Sequence, residues 1–465
     1  MNEFRLTNRS SFDLILCIVS VCLVFLSPST YSYEYCLLIH NLFLLTFAYN
    51  TYKNRRQGLL SFNFLFSISL YFTSFVYPVF FYNTGERYFS MFSYSFNEGL
   101  ISYSTAIAYM AYCFLQLGLN KDKVEKKTIR KKREIVIINS ETYLNALSFV
   151  FFVLLIYFFV NDGLSFFANQ FIYSITAHDV VMGYIVQLIT PIAYAMLFLA
   201  FYLPNKSGFS FLFSIGLVVI YVLSILSTGS RTIPLSIIIM ALFLFNDKIK
   251  KIGVTRLALL GGIFIVVLSL AGALRGEGEL ISTTNIAENA SNVLNEKSEN
   301  YFSFANELII CNRNLYYLIQ STQEVGYTFG FTLLGSLLSM VPFLRSLFMT
   351  VTGIPEYMLN SALYNTVLSI GLYHNKGLGT HAVADIYLCW GIIGVMLIFY
   401  LYGYVITKLK NRQDNIYYKV AYYIILSNAV YASRASIFNL NQIVWTILVI
   451  YFVLKMSGRR NLTDC

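Results

Sequence analysis

Apolar runs of about 20 residues recur from one end of this chain to the other, and the short gaps between them hold most of its lysine and arginine. A run of that length matches the roughly 30 Å hydrocarbon of a bilayer crossed as a helix. Composition agrees, since the chain is 57% hydrophobic and 12% charged, whereas a soluble globular protein carries about 25% charged residues. A length of 465 residues would otherwise mean about three soluble domains. Here it means one all-α polytopic membrane bundle. The net charge of +10 does not point to nucleic acid, because the cations cluster where membrane orientation requires them. Of seven cysteines, Cys17, Cys22, Cys36, Cys113 and Cys389 lie in apolar runs as small hydrophobes, and only Cys311 and Cys465 fall outside them. No pair has metal-ligand spacing. The first apolar run is followed by Ser27-Pro28 and further spans, which does not fit a cleavable signal.

The runs predict about 12 transmembrane helices, near 12–28, 35–52, 59–81, 98–119, 143–160, 182–203, 209–227, 233–246, up to 274, 382–406, 417–432 and 437–454. With the N-terminus in the cytoplasm, 25 of the 33 lysines and arginines fall on the inner side and 8 on the outer, and both termini are inside. That asymmetry sets the orientation. Residues 1–274 form the N-terminal spans, 275–380 a large periplasmic loop with amphipathic or re-entrant helices, and 381–465 three further spans with a basic cytoplasmic tail.

A connection of that length is usually functional or disordered, and this one carries Glu307, Arg313, Tyr317, Arg345, Asn360 and His374 among aromatics. The outer cations are Arg87, Arg231, Arg275, Lys297, Arg313, Arg345, Lys376 and Arg434, mostly arginine, against a mainly lysine inner set. A guanidinium fork binds phosphate bidentately, where lysine is a point charge. Arg231, Arg275 and Arg434 lie at or near outer span ends, where an ionisable group costs at least about 2.5–3.5 kcal/mol at membrane depth. They either snorkel to lipid phosphates or grip a substrate anion. A lipid-linked diphosphate fits that level, and converging arginines would stabilise its departure.

Within the loop, 299–320 reads as an amphipathic helix with Leu308, Leu315 and Ile319 on one side and Asn306, Arg313, Tyr317 and Gln320 on a polar stripe. An interfacial helix lying on the bilayer is the rival. Residues 327–349 are apolar enough to span, but Gly330, Gly335 and Pro342 and the charge parity favour a re-entrant or surface-lying hairpin; a pair of spans within 327–373 also keeps the parity. If a helix starts near Thr380, His381 and Asp385 share a face. A sugar hydroxyl needs a base as it attacks, and either residue can serve, with the carboxylate orienting the imidazole. Glu277, Glu279 and Glu307 are rival bases. A metal is disfavoured by four histidines and the lack of Asp-x-Asp or H-E-x-x-H patterns.

Three pieces together resemble the O-antigen polymerase family, the Wzy-type oligosaccharide repeat-unit polymerases. They are the corner Thr228-Gly229-Ser230-Arg231, the loop with Gly326-Tyr327-Thr328-Phe329-Gly330 leading to Val341-Pro342, and Gly377-Leu378-Gly379-Thr380-His381-Ala382-Val383-Ala384-Asp385-Ile386-Tyr387 running into Trp390-Gly391-Ile392-Ile393-Gly394. The family often has glutamate where Asp385 stands. The resemblance implies a GT-C-like bundle in the bacterial inner membrane and metal-independent glycosyl transfer at its periplasmic face, with no cofactor. The growing chain would move from undecaprenyl diphosphate onto the next undecaprenyl-diphosphate-linked oligosaccharide, among membrane lipids and with a chain-length regulator protein as partner. On that reading Arg231, Arg275, Arg313 and Arg434, with Tyr317, bind diphosphate or glycan, and His381 with Asp385 activates the acceptor. An O-antigen ligase acting on lipid A core would share the chemistry. A lipid-linked oligosaccharide flippase would need no hundred-residue outer loop, and its charges should sit mid-span.

Overall fold

A computed structural model describes residues 2–54, 58, 60–82, 96–120, 135–136, 140–165, 177–203, 207–228, 230–253, 256, 259, 305–372, 377–437, 440–456 and 460–461. In chain order the main helices are α1 (Asn2–Phe25), α2 (Tyr33–Lys53), α3 (Phe62–Ser74), α4 (Leu100–Asn120), α5 (Ser140–Val160), α6 (Ala177–Tyr202), α7 (Gly208–Ser227) and α8 (Thr232–Lys248). After the expected ninth span, which lies outside the described residues, come α9 (Cys311–Glu324), α10 (Phe331–Leu338), α11 (Leu344–Thr352), α12 (Ser361–Ile370), α13 (Ala382–Asn411), α14 (Ile416–Asn428) and α15 (Leu440–Met456). A two-residue antiparallel pair, Ile135–Val136 with Arg460–Asn461, is the only strand pairing among the described residues.

Helices start where short polar residues precede apolar runs. The hydroxyls of Ser32, Ser61 and Ser207 accept from backbone N–H groups of the first turns of α2, α3 and α7, and Asn360 and Asn415 do the same for α12 and α14. Six segments are long and apolar enough to cross a membrane: Phe62–Phe81, Leu100–Asn120, Glu141–Val160, Val181–Tyr202, Gly208–Ser227 and Ala382–Asn411. Ser11–Phe25 and Leu440–Met456 are shorter apolar helices. This is an all-helical integral membrane protein, with six membrane-length segments described against about twelve expected crossings.

The chain divides into two compact units, residues 1–130 with 305–439 and residues 131–304 with 440–465. In the second unit α5 packs on α6 and α7, and α15 lies along α6. Buried hydroxyl pairs tie it together, Ser148 to Ser214 and Thr190 to Tyr221, both at 2.8 Å. In the first unit α4 and α13 form the principal contact. They cross where Gly118 meets Gly403: a Cβ on Gly118 would lie 2.1 Å from the Tyr400 carbonyl oxygen. Small residues allow such backbone approach where lipid offers no hydrophobic drive.

The later part of the long loop folds onto the first unit. α9 packs against protein on the side that bears Arg313: Asn312, Arg313 and Asn314 are buried and Tyr317 and Gln320 partly so. Residues 327–349 do not span. α10 and α11 have 8 and 9 residues, about 12–14 Å at 1.5 Å per residue, less than half the hydrocarbon thickness. Left-handed Phe343 separates them, so a hairpin forms instead of a crossing. A pair of spans within 327–373 is likewise not formed. α11 buries no residue and exposes Leu347 and Val351.

Candidate active site

α13 has 30 residues and is broken at Trp390 and Gly391, where the backbone leaves helical angles and Gly391 takes φ +63. The carbonyl of Leu388, which a straight helix would pair with Ile392, accepts instead from the N–H and the hydroxyl of Thr328 at 2.9 and 3.3 Å. Two glycines make the docking close. A Cβ on Gly391 would sit 2.9 Å from the Tyr327 hydroxyl, and one on Gly330 2.9 Å from the Trp390 indole. Thus Gly326 to Gly330 seals the break. Irregular backbone at membrane depth survives only where protein satisfies it, and broken membrane helices mark binding sites in other folds.

The break also divides α13 unequally. From Lys408 to Trp390 is about 27 Å along the helix, close to one hydrocarbon thickness. The first turns of α13 lie beyond that stretch. There Asp385 is 1% exposed, and its Oδ1 accepts from the Thr332 hydroxyl of α10 at 2.8 Å. Thr332 also lies 3.2 Å from Cys389 Sγ. The hydroxyls of Ser361 and Ser436 approach the carboxyl, but Oδ2 has no partner in hydrogen-bonding geometry. A buried polar atom left unpaired costs about 1–3 kcal/mol. The first turn of a helix partly offsets this for a carboxylate.

His381 does not pair with Asp385 through its side chain. Its Nδ1 accepts from the Val383 N–H at 3.2 Å, capping α13, and its Nε2 lies 3.1 Å from Ser74 Oγ on α3. It is fully buried. One residue before the span, it has its pKa pushed down to about 3 by that burial, so the imidazole is neutral and its proton sits on Nε2. The adjoining Ala382 N–H donates to the Ser433 carbonyl at 2.8 Å, which brings the corner bearing Arg434 against the start of α13.

Arg313 on α9 is 1% exposed. Its Nη1 donates to Ser369 Oγ at 2.9 Å and to Asn365 Oδ1 at 3.4 Å, and its guanidinium lies 4.3 Å from the centre of the Tyr317 ring. Tyr317 in turn donates to the Leu368 carbonyl at 2.7 Å. Asn365 donates to Asn314 Oδ1 at 2.9 Å and to the Gly379 carbonyl at 2.8 Å, and Asn314 donates to the Leu378 carbonyl at 2.7 Å. Arg313 and Tyr317 therefore share one polar network with the strap leading to His381 and Asp385.

The remaining expected residues fall elsewhere. Arg231 precedes α8 in the second unit and is partly buried. Arg345 pairs with Glu356 at 3.3 Å across the hairpin. Glu307 lies in a helical turn, Asn306–Ile309, with its side chain outside the described residues. Arg275, Glu277 and Glu279 are outside the described residues, as are Arg87, Lys297, His374 and Lys376. Sequence reasoning missed Thr332, Ser361, Asn365, Ser369 and Ser436. The only hint was a scatter of small polar residues in otherwise apolar stretches.

A carboxyl with one unengaged oxygen, a buried arginine network and a broken helix are thus linked through the start of α13 and the strap before it. Comparison with curated proteins and with solved structures gives no match. The family model described as O-antigen polysaccharide polymerase Wzy matches residues 10–461, nearly the whole chain, and the protein belongs to that family.

Proposed function

We propose that the protein polymerises undecaprenyl-diphosphate-linked oligosaccharide repeat units by metal-independent glycosyl transfer at the periplasmic face of the inner membrane. The observation that supports this reading is the Asp385 carboxyl, buried beside the break in α13 with Oδ2 unengaged. Asp385 takes the proton of the attacking sugar hydroxyl. His381 is a positioning residue that fixes the start of α13. Arg313, stacked on Tyr317, faces the diphosphate or glycan side, with Arg434 as a further anion contact. Glu277 and Glu307 remain rival bases. The α10 end, which sets Thr332 over the carboxyl, is the cover that parts to admit the acceptor. A single displacement with a departing lipid diphosphate predicts inversion at the anomeric carbon.

The test is purified protein supplied with a synthetic lipid-diphosphate repeat unit, with and without chelator. The expected product is a ladder of lengthening chains that chelator leaves unchanged. Absence of chains longer than one unit, or their loss on chelation, defeats the reading. A deletion strain separates the competing transfers, because loss of a polymerase leaves lipopolysaccharide with a single repeat, and loss of a ligase or flippase leaves core alone.

A further inference from the structure

At the far end of α13 from Asp385 a cavity of about 100 Å³ opens among the ends of α2, α4 and α13, the start of α3 and the middle of α14. Its polar lining includes Asn63, Asn120, Thr407, Lys410 and Tyr422, and no aspartate or glutamate lines it. Lys410 makes no hydrogen bond, ion pair or ring contact among the described residues. One turn back along α4, Gln116 donates to Asn63 Oδ1 while its own Oε1 stays buried without a partner. Asn50, one turn back along α2, is fully buried with neither amide atom in bonding geometry.

Converging helix C-termini oppose an anion, each bringing about half a negative charge. Here those ends are already answered. The Thr407 hydroxyl donates to the Leu119 carbonyl at 2.9 Å. The backbone N–H groups of Asn54 and Arg412 close the last carbonyls of α2 and α13, and Lys53 and Lys408 sit in those last turns. What remains is an unmatched ammonium among amide and phenol donors, in a space that would hold one phosphate group or about three waters at roughly 30 Å³ each.

We propose that this cavity is a phosphate-binding site, taking the phosphate of an anionic lipid at the cytoplasmic headgroup level. Lys410 supplies the charge and Asn63 and Tyr422 the neutral donors. The site is separate from the glycosyl-transfer centre, about 37 Å away along α13.

The experiment uses full-length protein in nanodiscs of phosphatidylcholine with a minor share of phosphatidylglycerol, released into native mass spectrometry. Wild type should retain phosphatidylglycerol, and Lys410→Ala should retain about tenfold less, while Lys408→Ala, two residues back and outside the cavity lining, behaves as wild type. Asn63→Asp keeps the acceptor for Gln116 but places a carboxylate in the cavity. It should show the same loss, and it carries the test should Lys410→Ala fail to fold. A second arm titrates inorganic phosphate into delipidated protein in neutral detergent. A rise in Tm seen in wild type and absent from both variants assigns free phosphate as a ligand. Lipid retention with no such rise assigns the lipid headgroup. Wild type that retains no phosphatidylglycerol and ignores phosphate, or variants that match wild type in both arms, overturns the proposal.

Discussion

A carboxyl and an imidazole four residues apart invite a base–orienter pair, yet the geometry separates their duties. Asp385 is held from one side by Thr332, so Asp385→Asn should preserve the packing and cut chain elongation by about 10²–10⁴, the usual worth of a general base. Elongation by Asp385→Asn at the wild-type rate would hand the base role to Glu277 or Glu307. His381 is different, because asparagine can also accept at a helix N-cap. His381→Asn should keep elongation within a few-fold, and a folded but inactive variant would instead make the imidazole the base. The same residue gives a pH signature. Its native pKa of about 3 lies below an unfolded value of about 6.5. The stability it contributes is therefore complete above pH 6.5 and drains as pH falls toward 3. Wild-type Tm in detergent should drop more steeply than that of His381→Asn over the acid range. Arg313→Lys loses the second arm of the fork and the stacking on Tyr317. An Arg-to-Lys change at such a position is not conservative, and elongation should fall at least about tenfold.

At the scale of elements, the break in α13 is the feature that composition conceals. Residues 382–406 read as one uninterrupted apolar run, and helix periodicity has no term for a carbonyl claimed by Thr328 some sixty residues earlier. The local signals were two glycines, Gly330 and Gly391, whose need for positive φ and close packing shows only once the partner ring is in place. Gly391→Ala forces a Cβ into the Tyr327 hydroxyl and into a backbone region that glycine alone occupies easily. It should lower stability by about 1–3 kcal/mol and speed proteolysis between 326 and 372. Unchanged proteolysis would mean that the hairpin is held by other contacts. That 327–349 would not run as one straight helix was legible, because glycine, proline and span parity all argued against it. α9 was legible as a helix but not in its setting. Periodicity located the stripe carrying Arg313 and Tyr317, and only the return of Asn365 and Ser369 from beyond the hairpin shows that the stripe faces protein.

For the whole molecule, the helices arise where the apolar runs fall because spanning is a local property of about 20 residues. Side-chain networks are not local, so the site was legible residue by residue and not as an arrangement. Orientation rests on the lysine and arginine asymmetry. A cysteine introduced at exposed Val351 should react with a membrane-impermeant maleimide added outside intact cells, and one at Asp414 only after permeabilisation. The reverse pattern would move the site to the cytoplasm.

The span from Lys408 to the interruption at Trp390 works as a ruler. Because the interruption is wedged shut by Thr328, Tyr327 and Gly330, the helix has little freedom to adjust where the bilayer differs from about 27 Å. On the proposed reading, acyl chains a few carbons longer would raise the lipid surface past the Asp385 carboxyl and cover it in oil. Turnover in reconstituted membranes should therefore peak at one acyl length and fall on either side, a dependence that an adjustable, unbroken helix would not show.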